Sequence, residues 1–262
     1  MFVKVETSSD KKDLVEERVV EKLEYAGINE YKFSNSLELE VEKEEVPEVI
    51  RTLSFLSGVD SLTPFEKSGG EPGEVVEKIL EMFPSKEGFK VNSLGYNESK
   101  EVEEGLEEGE FEVFLEQGED CVKVFSESFE GVGGLPVEKE KTVVLKLEDR
   151  FDAVAGVLLT LDGYNVQPVY TGNDVNKVEE GVLMLKEYNP VIKLIFLKKA
   201  DLKEALESSR KVVKTDLVGF GSVDSKSLFE ECSFDIINPI YNMGEEEVLE
   251  LYTEYRRLPL DS

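Results

Sequence analysis

The chain has 262 residues, 40% of them hydrophobic and 9% aromatic, with a formal net charge of −28. That length accommodates two ordinary domains with a core each, and the composition is that of a folded chain rather than a disordered one. There is no histidine, and the two cysteines, Cys121 and Cys232, are far apart and without CxxC spacing. The commonest general base and metal ligand are thus missing, as are a disulfide framework and a zinc signature, which excludes most hydrolases and metalloenzymes.

No run of 18 apolar residues occurs, and the start, MFVKVETSSDKK, lacks a charged-then-apolar signal pattern. These features predict a soluble, cytoplasmic protein with no membrane partner. Residues 1–140 carry 15 basic and 36 acidic side chains, a balance of −21, whereas residues 141–262 carry 15 and 22, a balance of −7. Such a surface repels phosphate backbones, whose protein affinity comes largely from Lys and Arg. Two explanations stay open: a basic protein partner, or a salty cytoplasm in which dense carboxylates maintain solubility.

In chain order, MFVKVET predicts a short alternating strand, and Lys12 to Tyr25 a helix with Leu14, Val15, Val19, Val20 and Leu23 at helical spacing. Ala26-Gly27 ends it. Phe33 to Val41 predicts one half-buried strand, Val46 to Leu56 a helix with Pro47 tolerated in its first turn, and Val59 to Phe65 a strand. This order suits a ferredoxin-like sandwich over 1–68. Ser68-Gly69-Gly70-Glu71-Pro72-Gly73 predicts a linker. A helix (Val75 to Met82), a strand (Gly88 to Asn92), an acidic helix (Ser99 to Leu106) and strands Glu110–Leu115 and Cys121–Ser126 follow. The glutamate-rich, cation-free stretch from Glu101 to Glu119 predicts a solvated face rather than a metal site, since no turn gathers its carboxylates.

Gly131-Val132-Gly133-Gly134-Leu135-Pro136-Val137 breaks the chain again. Beyond it, strands Thr142–Leu147, Asn165–Tyr170, Val191–Leu197, Leu217–Phe220 and Asp235–Ile240 alternate with helices Phe151–Leu161, Val175–Tyr188, Asp201–Val213 and Glu245–Tyr255. Apolar strands alternating with helices predict a parallel sheet covered on both faces.

Three segments, in this order, resemble the tRNA 4-thiouridine synthase (sulfurtransferase) family. Glu130-Gly131-Val132-Gly133-Gly134-Leu135-Pro136-Val137 is similar to that family's hinge between its THUMP and catalytic domains. Val143 to Ala153 stands where the family has a strand and the PP-loop motif SGG[IF]DS. Gly221-Ser222-Val223-Asp224-Ser225-Lys226-Ser227-Leu228, followed by Ile237-Asn238-Pro239-Ile240, resembles the family's GQVxSQTL and later RPL. The resemblance implies an α+β ferredoxin-like and THUMP N-terminal region followed by an α/β parallel-sheet domain, PP-loop ATPase-like and Rossmann-like. The expected divisions are 1–68 ferredoxin-like, 74–130 a shortened THUMP-like domain, 131–140 a hinge with Gly131, Gly133, Gly134 and Pro136, and 141–262 a degenerate PP-loop-like domain.

A PP-loop works because small residues let backbone N–H groups close around pyrophosphate at a helix N-terminus. Where the family has Ser-Gly-Gly-Phe-Asp-Ser, this chain reads Glu148-Asp149-Arg150-Phe151-Asp152-Ala153. Both glycines and both serine hydroxyls are gone, and each close like-charge contact costs on the order of 1 kcal/mol near a surface. Two readings of the carboxylates stand side by side: Glu148, Asp149 and Asp152 hold a magnesium ion that bridges phosphates, or they cap a helix beginning near Phe151. The expectation is no cofactor, with ATP-Mg the alternative, and no catalytic residue. The family's late cysteine is unmatched, since the chain ends Arg256-Arg257-Leu258-Pro259-Leu260-Asp261-Ser262, and Cys121 and Cys232 read as small apolar residues.

The family's basic THUMP string, similar to RVKRRG, is here Lys90-Val91-Asn92-Ser93-Leu94-Gly95, with a single cation. The one basic concentration is Lys193, Lys198, Lys199, Lys203, Arg210, Lys211 and Lys214, set against Asp201, Glu204 and Glu207. With Lys90, these residues are the RNA-binding candidates; the plain alternative is an ordinary exposed face. Three functions follow: a non-catalytic homologue that binds tRNA or supports its modification, beside tRNA or an intact family member; an active ATP-dependent thiolation enzyme with an unusual phosphate site; or an acidic scaffold for a basic protein.

Overall fold

A computed structural model describes residues 1–35, 37–198, 201–221 and 235–255. In chain order these form β1 (Phe2–Glu6), α1 (Lys12–Ala26), β2 (Tyr31–Asn35), β3 (Glu38–Val41), α2 (Val46–Leu53), β4 (Val59–Ser68), α3 (Pro72–Met82), β5 (Phe89–Leu94), α4 (Ser99–Glu104), β6 (Phe111–Gln117), β7 (Val122–Phe125) and β8 (Phe129–Gly133). Then come β9 (Leu135–Lys146), α5 (Arg150–Leu161), β10 (Asp162–Tyr170), α6 (Glu179–Tyr188), β11 (Ile195–Phe196), α7 (Leu202–Val213), β12 (Leu217–Gly219), β13 (Asp235–Ile237) and α8 (Glu245–Tyr255). No helix among the described residues is long and apolar enough to cross a membrane. The chain forms two compact units: Met1–Glu6, Glu30–Ile50 and Ser61–Glu130 make the first, and Thr7–Asn29, Arg51–Asp60 and the residues from Gly131 onward the second.

The first unit is built on a mixed sheet in the order β2-β3-β1-β4-β7-β6-β5, with β8 also paired to β4. All pairs along this order are antiparallel except β5–β6, which runs parallel from Phe89 beside Phe111 to Leu94 beside Glu116. Ser68, the start of the expected linker, is the last residue of β4 and pairs with Val122. The apolar faces of α3 and α4 close over this end of the sheet, with Val75, Ile79 and Val102 against Phe89, Val113, Leu115, Val122 and Val124. Half-buried lysines, with buried Glu38 and half-buried Glu116, tie the sheet together laterally. Lys123 reaches Glu38 at 2.6 Å and Glu116 at 3.3 Å, Lys67 reaches Glu38 at 3.3 Å, and Lys4 reaches Glu116 at 3.1 Å.

Two expectations for this unit need correction. The single strand Phe33–Val41 is a hairpin of β2 and β3, because the chain turns with Leu37 at φ 62, a left-handed conformation that apolar residues seldom adopt and that no Gly or Asn announced. β8 was not expected at all, since the Gly131–Val137 pattern hides an extended segment.

The second unit holds a fully parallel sheet in the order β11-β10-β9-β12-β13. Its central strand reads as a continuous apolar run because both faces are covered. Val143, Leu145 and Leu147 pack with α5, α6 and α8, while Val144 joins Val169, Val218, Ala205 and Leu206 under α7. Several strand lengths differ from expectation: β9 and β10 are longer, β13 stops at Ile237, and Val191–Leu197 contributes only Ile195 and Phe196 at the sheet edge. Val175–Val178 is a 3-10 turn preceding α6 rather than its first turn.

Helix α1 belongs to this unit, although its spacing suggested only the ferredoxin-like sandwich. Arg18, 1% exposed, donates from Nε to the Val137 carbonyl at 3.1 Å, and Lys22, 2% exposed, pairs with Glu187 at 2.9 Å.

Candidate functional site

Strand β9 delivers Leu147 to the carboxyl edge of the parallel sheet, and α5 starts three residues later. Its neighbour β12 ends at Gly219 on the same edge, where the chain's connections leave in opposite directions. Ligands of open parallel sheets bind at such a switch point.

The turn between β9 and α5 caps itself. Asp149 has extended backbone angles, φ −146 and ψ −174, and its Oδ1 accepts the N–H groups of Phe151 at 2.9 Å and Asp152 at 3.1 Å. An aspartate N-cap satisfies donors that a helix start leaves open, and its charge opposes the helix dipole. Asp152, 1% exposed, does more: Oδ2 accepts from Glu148 N–H and Oδ1 from Gly221 N–H, each at 2.9 Å. One carboxylate thereby ties the end of β9 to the segment after β12. Gly221 has no room for a side chain, since a Cβ there would lie 2.4 Å from the Asp152 nitrogen and the Phe151 carbonyl carbon.

Burial pushes the Asp152 carboxyl up to about 6; Lys146 opposes the rise, Asp149 adds to it, and the bonds from Glu148 and Gly221 oppose it. Lys146 pairs with Glu148 at 2.8 Å. Arg150 is exposed and lies over the Phe151 ring, 5.6 Å from its centre. Ala153 is fully buried against the α6 side, where a Cβ on Gly181 would come within 3.3 Å of it.

Beside this turn lies a cleft of 460 Å³ lined by Leu147, Glu148, Asp149, Arg150, Lys177, Val178, Glu180, Gly181 and Tyr252. Of the predicted loop residues, Glu148, Asp149 and Arg150 therefore face the cleft, whereas Asp152 and Ala153 lie beneath it. Of the three carboxylates, Asp149 caps the helix, whereas Asp152 bonds to Glu148 and Gly221 and Glu148 pairs with Lys146. Among the described residues, no three His, Cys, Asp or Glu side chains converge as a metal cage.

The predicted hinge residues sit in a tightly bonded corner. Gly133, the last residue of β8, and Gly134, between β8 and β9, take φ 69 and 80, and a Cβ on Gly134 would come within 2.6 Å of the Leu161 carbonyl oxygen. A Cβ on Gly131 would meet the Val59 carbonyl oxygen at 2.2 Å, and Pro136 lies against Gly58. The Gly133 carbonyl accepts from Gly58 N–H at 2.8 Å, and the Ser57 hydroxyl donates to the Leu135 carbonyl at 2.6 Å.

The RNA-binding candidates are divided between the two units. Lys90 lies in the first unit and pairs with Glu112, while the others lie in the second. Arg210 pairs with Asp216 at 2.9 Å. Lys193, Lys198, Lys211 and Lys214 are exposed, Lys203 is half-buried, and Lys199 lies outside the described residues, as do Ser222–Leu228, Cys232 and the stretch from Arg256. Sequence reasoning missed Lys146, Lys177, Glu180 and Tyr252, whose proximity to the loop arises only in three dimensions. It also gave no special part to Gly221, although a glycine closing Gly219-Phe220-Gly221 at a strand end signals close backbone approach.

No protein-family model matches the sequence, and no curated protein matches it. Solved structures do. The chain is similar to PH1313 from Pyrococcus horikoshii Ot3, at TM-score 0.76 and 20% identity over 97% of this chain and 98% of that one. It is also similar to a 4-thiouridine synthetase in a complex with RNA and bound ATP, at TM-score 0.72 and 15% identity over 97% of this chain and 84% of that one. The fold is that of a 4-thiouridine synthetase. The architecture expected from the resemblance, an antiparallel-rich N-terminal region followed by a parallel α/β domain, is the one observed.

Proposed function

We propose that this chain is a non-catalytic, cytoplasmic relative of the THUMP-containing 4-thiouridine synthases that acts in tRNA modification by engaging tRNA without using a nucleotide. Its modules on this reading are 1–68, 74–130, the hinge 131–140 and 141–262. The observation that carries the reading is the self-capped turn. A phosphate bound there needs free backbone N–H groups, and those of Glu148, Phe151, Asp152 and Gly221 already donate to the protein's own carboxylates. An incoming triphosphate would have to displace Asp149 while standing beside Glu148 and Glu180, with Arg150 and Lys177 as the cleft's cations. The residues present do not fit ATP.

Calorimetry of the full chain with ATP-Mg tests this directly. No binding in the micromolar range is expected, and no AMP is released when tRNA is added. Micromolar binding, or AMP release at any salt concentration, returns the chain to the active thiolation enzymes. Gel shift with bulk tRNA at moderate salt separates the tRNA-linked reading from an acidic scaffold, which leaves tRNA unshifted.

A further inference from the structure

The chain's cations are distributed unevenly in their partners. In the first unit Lys4, Lys67, Lys78, Lys90 and Lys123 all hold glutamates. Within 193–214 the sequence places seven cations against three carboxylates, a local balance of +4 in a chain of −28. Lys193 and Lys198 flank β11 there; both are exposed, and among the described residues neither has a carboxylate partner.

Between them stands Phe196. It is 40% exposed, and its ring stacks on buried Tyr170 with centres 5.9 Å apart and planes 16° from parallel. Alternation along β11 explains the placement, because Ile195 and Leu197 pack into the core under α7 and turn Phe196 outward. The Leu197 N–H bonds to the Tyr170 carbonyl at 3.0 Å, so the extended pairing continues past the ring. Two residues further on, exposed Lys198 stands in the turn that follows the strand. A flat ring fixed on one face and open on the other, with unpaired ammonium groups close in sequence, has the chemistry of a base-stacking platform for single-stranded nucleic acid.

We propose that the β11 edge is such a platform: Phe196 stacks on an unpaired base, and Lys193 and Lys198 contact the adjoining phosphates. This rests on the tRNA-linked reading above and names where that RNA is held. Backing by Tyr170 makes the ring a pre-set surface, so little side-chain entropy is lost on binding.

The test uses the full chain and a fluorescent single-stranded RNA about ten nucleotides long, titrated by anisotropy at several salt concentrations. Replacing Phe196→Leu, which keeps an apolar side chain on Tyr170, is expected to weaken binding roughly tenfold without changing the salt slope. Phe196→Tyr is expected to retain it. The double replacement Lys193→Gln and Lys198→Gln is expected to lower the salt slope by about 1.4, the value for two phosphate contacts to a single strand. An abasic strand of equal length is expected to bind the unaltered chain as weakly as the RNA binds the Phe196→Leu variant. If the unaltered chain binds RNA and tRNA but Phe196→Leu binds equally well, or the abasic strand binds as tightly as RNA, the platform is wrong and the tRNA-linked reading stands. If the unaltered chain binds neither RNA nor tRNA, both fall. Circular dichroism of each variant confirms that the fold is intact.

Discussion

Carboxylates are handled in two different ways in the two units. On the first unit's sheet, Glu38 and Glu116 are neutralised by lysines, with Lys123 shared between them. At the turn before α5, Asp149 and Asp152 are held chiefly by backbone N–H groups, and the nearby Lys146 pairs with Glu148. The first arrangement uses up side-chain charge and leaves the backbone alone; the second uses up the donors that a phosphate site depends on. A strongly acidic composition is thus compatible with a dense lysine network in one place and with loss of an anion site in another.

The contrast can be broken most forcefully at Gly221. Adding one methyl group, Gly221→Ala, forces the segment after β12 away from α5 and is expected to cost about 3 kcal/mol, read as a lowered urea midpoint. Little change would mean that this segment does not depend on its contact with Asp152.

Next comes the cap itself. Asp149→Ala leaves the Phe151 and Asp152 N–H groups without their acceptor and is expected to cost about 1 kcal/mol by the same measurement.

Asp152 sharpens the contrast through pH. Its carboxyl titrates at about 6 in the folded protein against an ordinary 3.8, so the folded state binds the proton more tightly than the unfolded state does. Its contribution to stability is therefore fully present below the ordinary value and is lost as pH rises through about 6. On going from pH 7 to pH 5, the native protein is expected to gain about 1 kcal/mol relative to Asp152→Asn. Parallel urea midpoints for the two proteins across that range would remove this account of Asp152.

The smallest effect belongs to the sheet network. Glu116→Gln is expected to cost less than about 1 kcal/mol, because Lys123 keeps Glu38, Lys4 keeps Glu6, and partly exposed pairs contribute little. A larger loss would show that the lysines of this unit depend on Glu116 as strongly as the turn depends on Asp149.

The sequence made some of this legible and concealed the rest for identifiable reasons. The apolar run at Val143–Leu147 announced a strand covered on both faces, and the missing glycines at 149 and 150 announced an altered loop, because both signals are local. Leu37 concealed a hairpin, since an apolar residue in a left-handed turn carries no turn signature. The strand expected over 191–197 shrank to two residues, because β11 is an edge strand and apolar content there reflects packing under α7 rather than pairing. The partner of Asp152 lies 69 residues away, a separation at which no spacing rule operates. Likewise, nothing in the pattern of 12–26 indicated that its buried Arg18 and Lys22 hold Val137 and Glu187.

The bond from Gly221 to Asp152 has a consequence in time as well as in space. It is buried and joins chain segments that come together only when the central strands are assembled. Deuterium should therefore replace the Gly221 amide hydrogen at the pace of the slowest openings of this unit, while amides in exposed turns exchange freely.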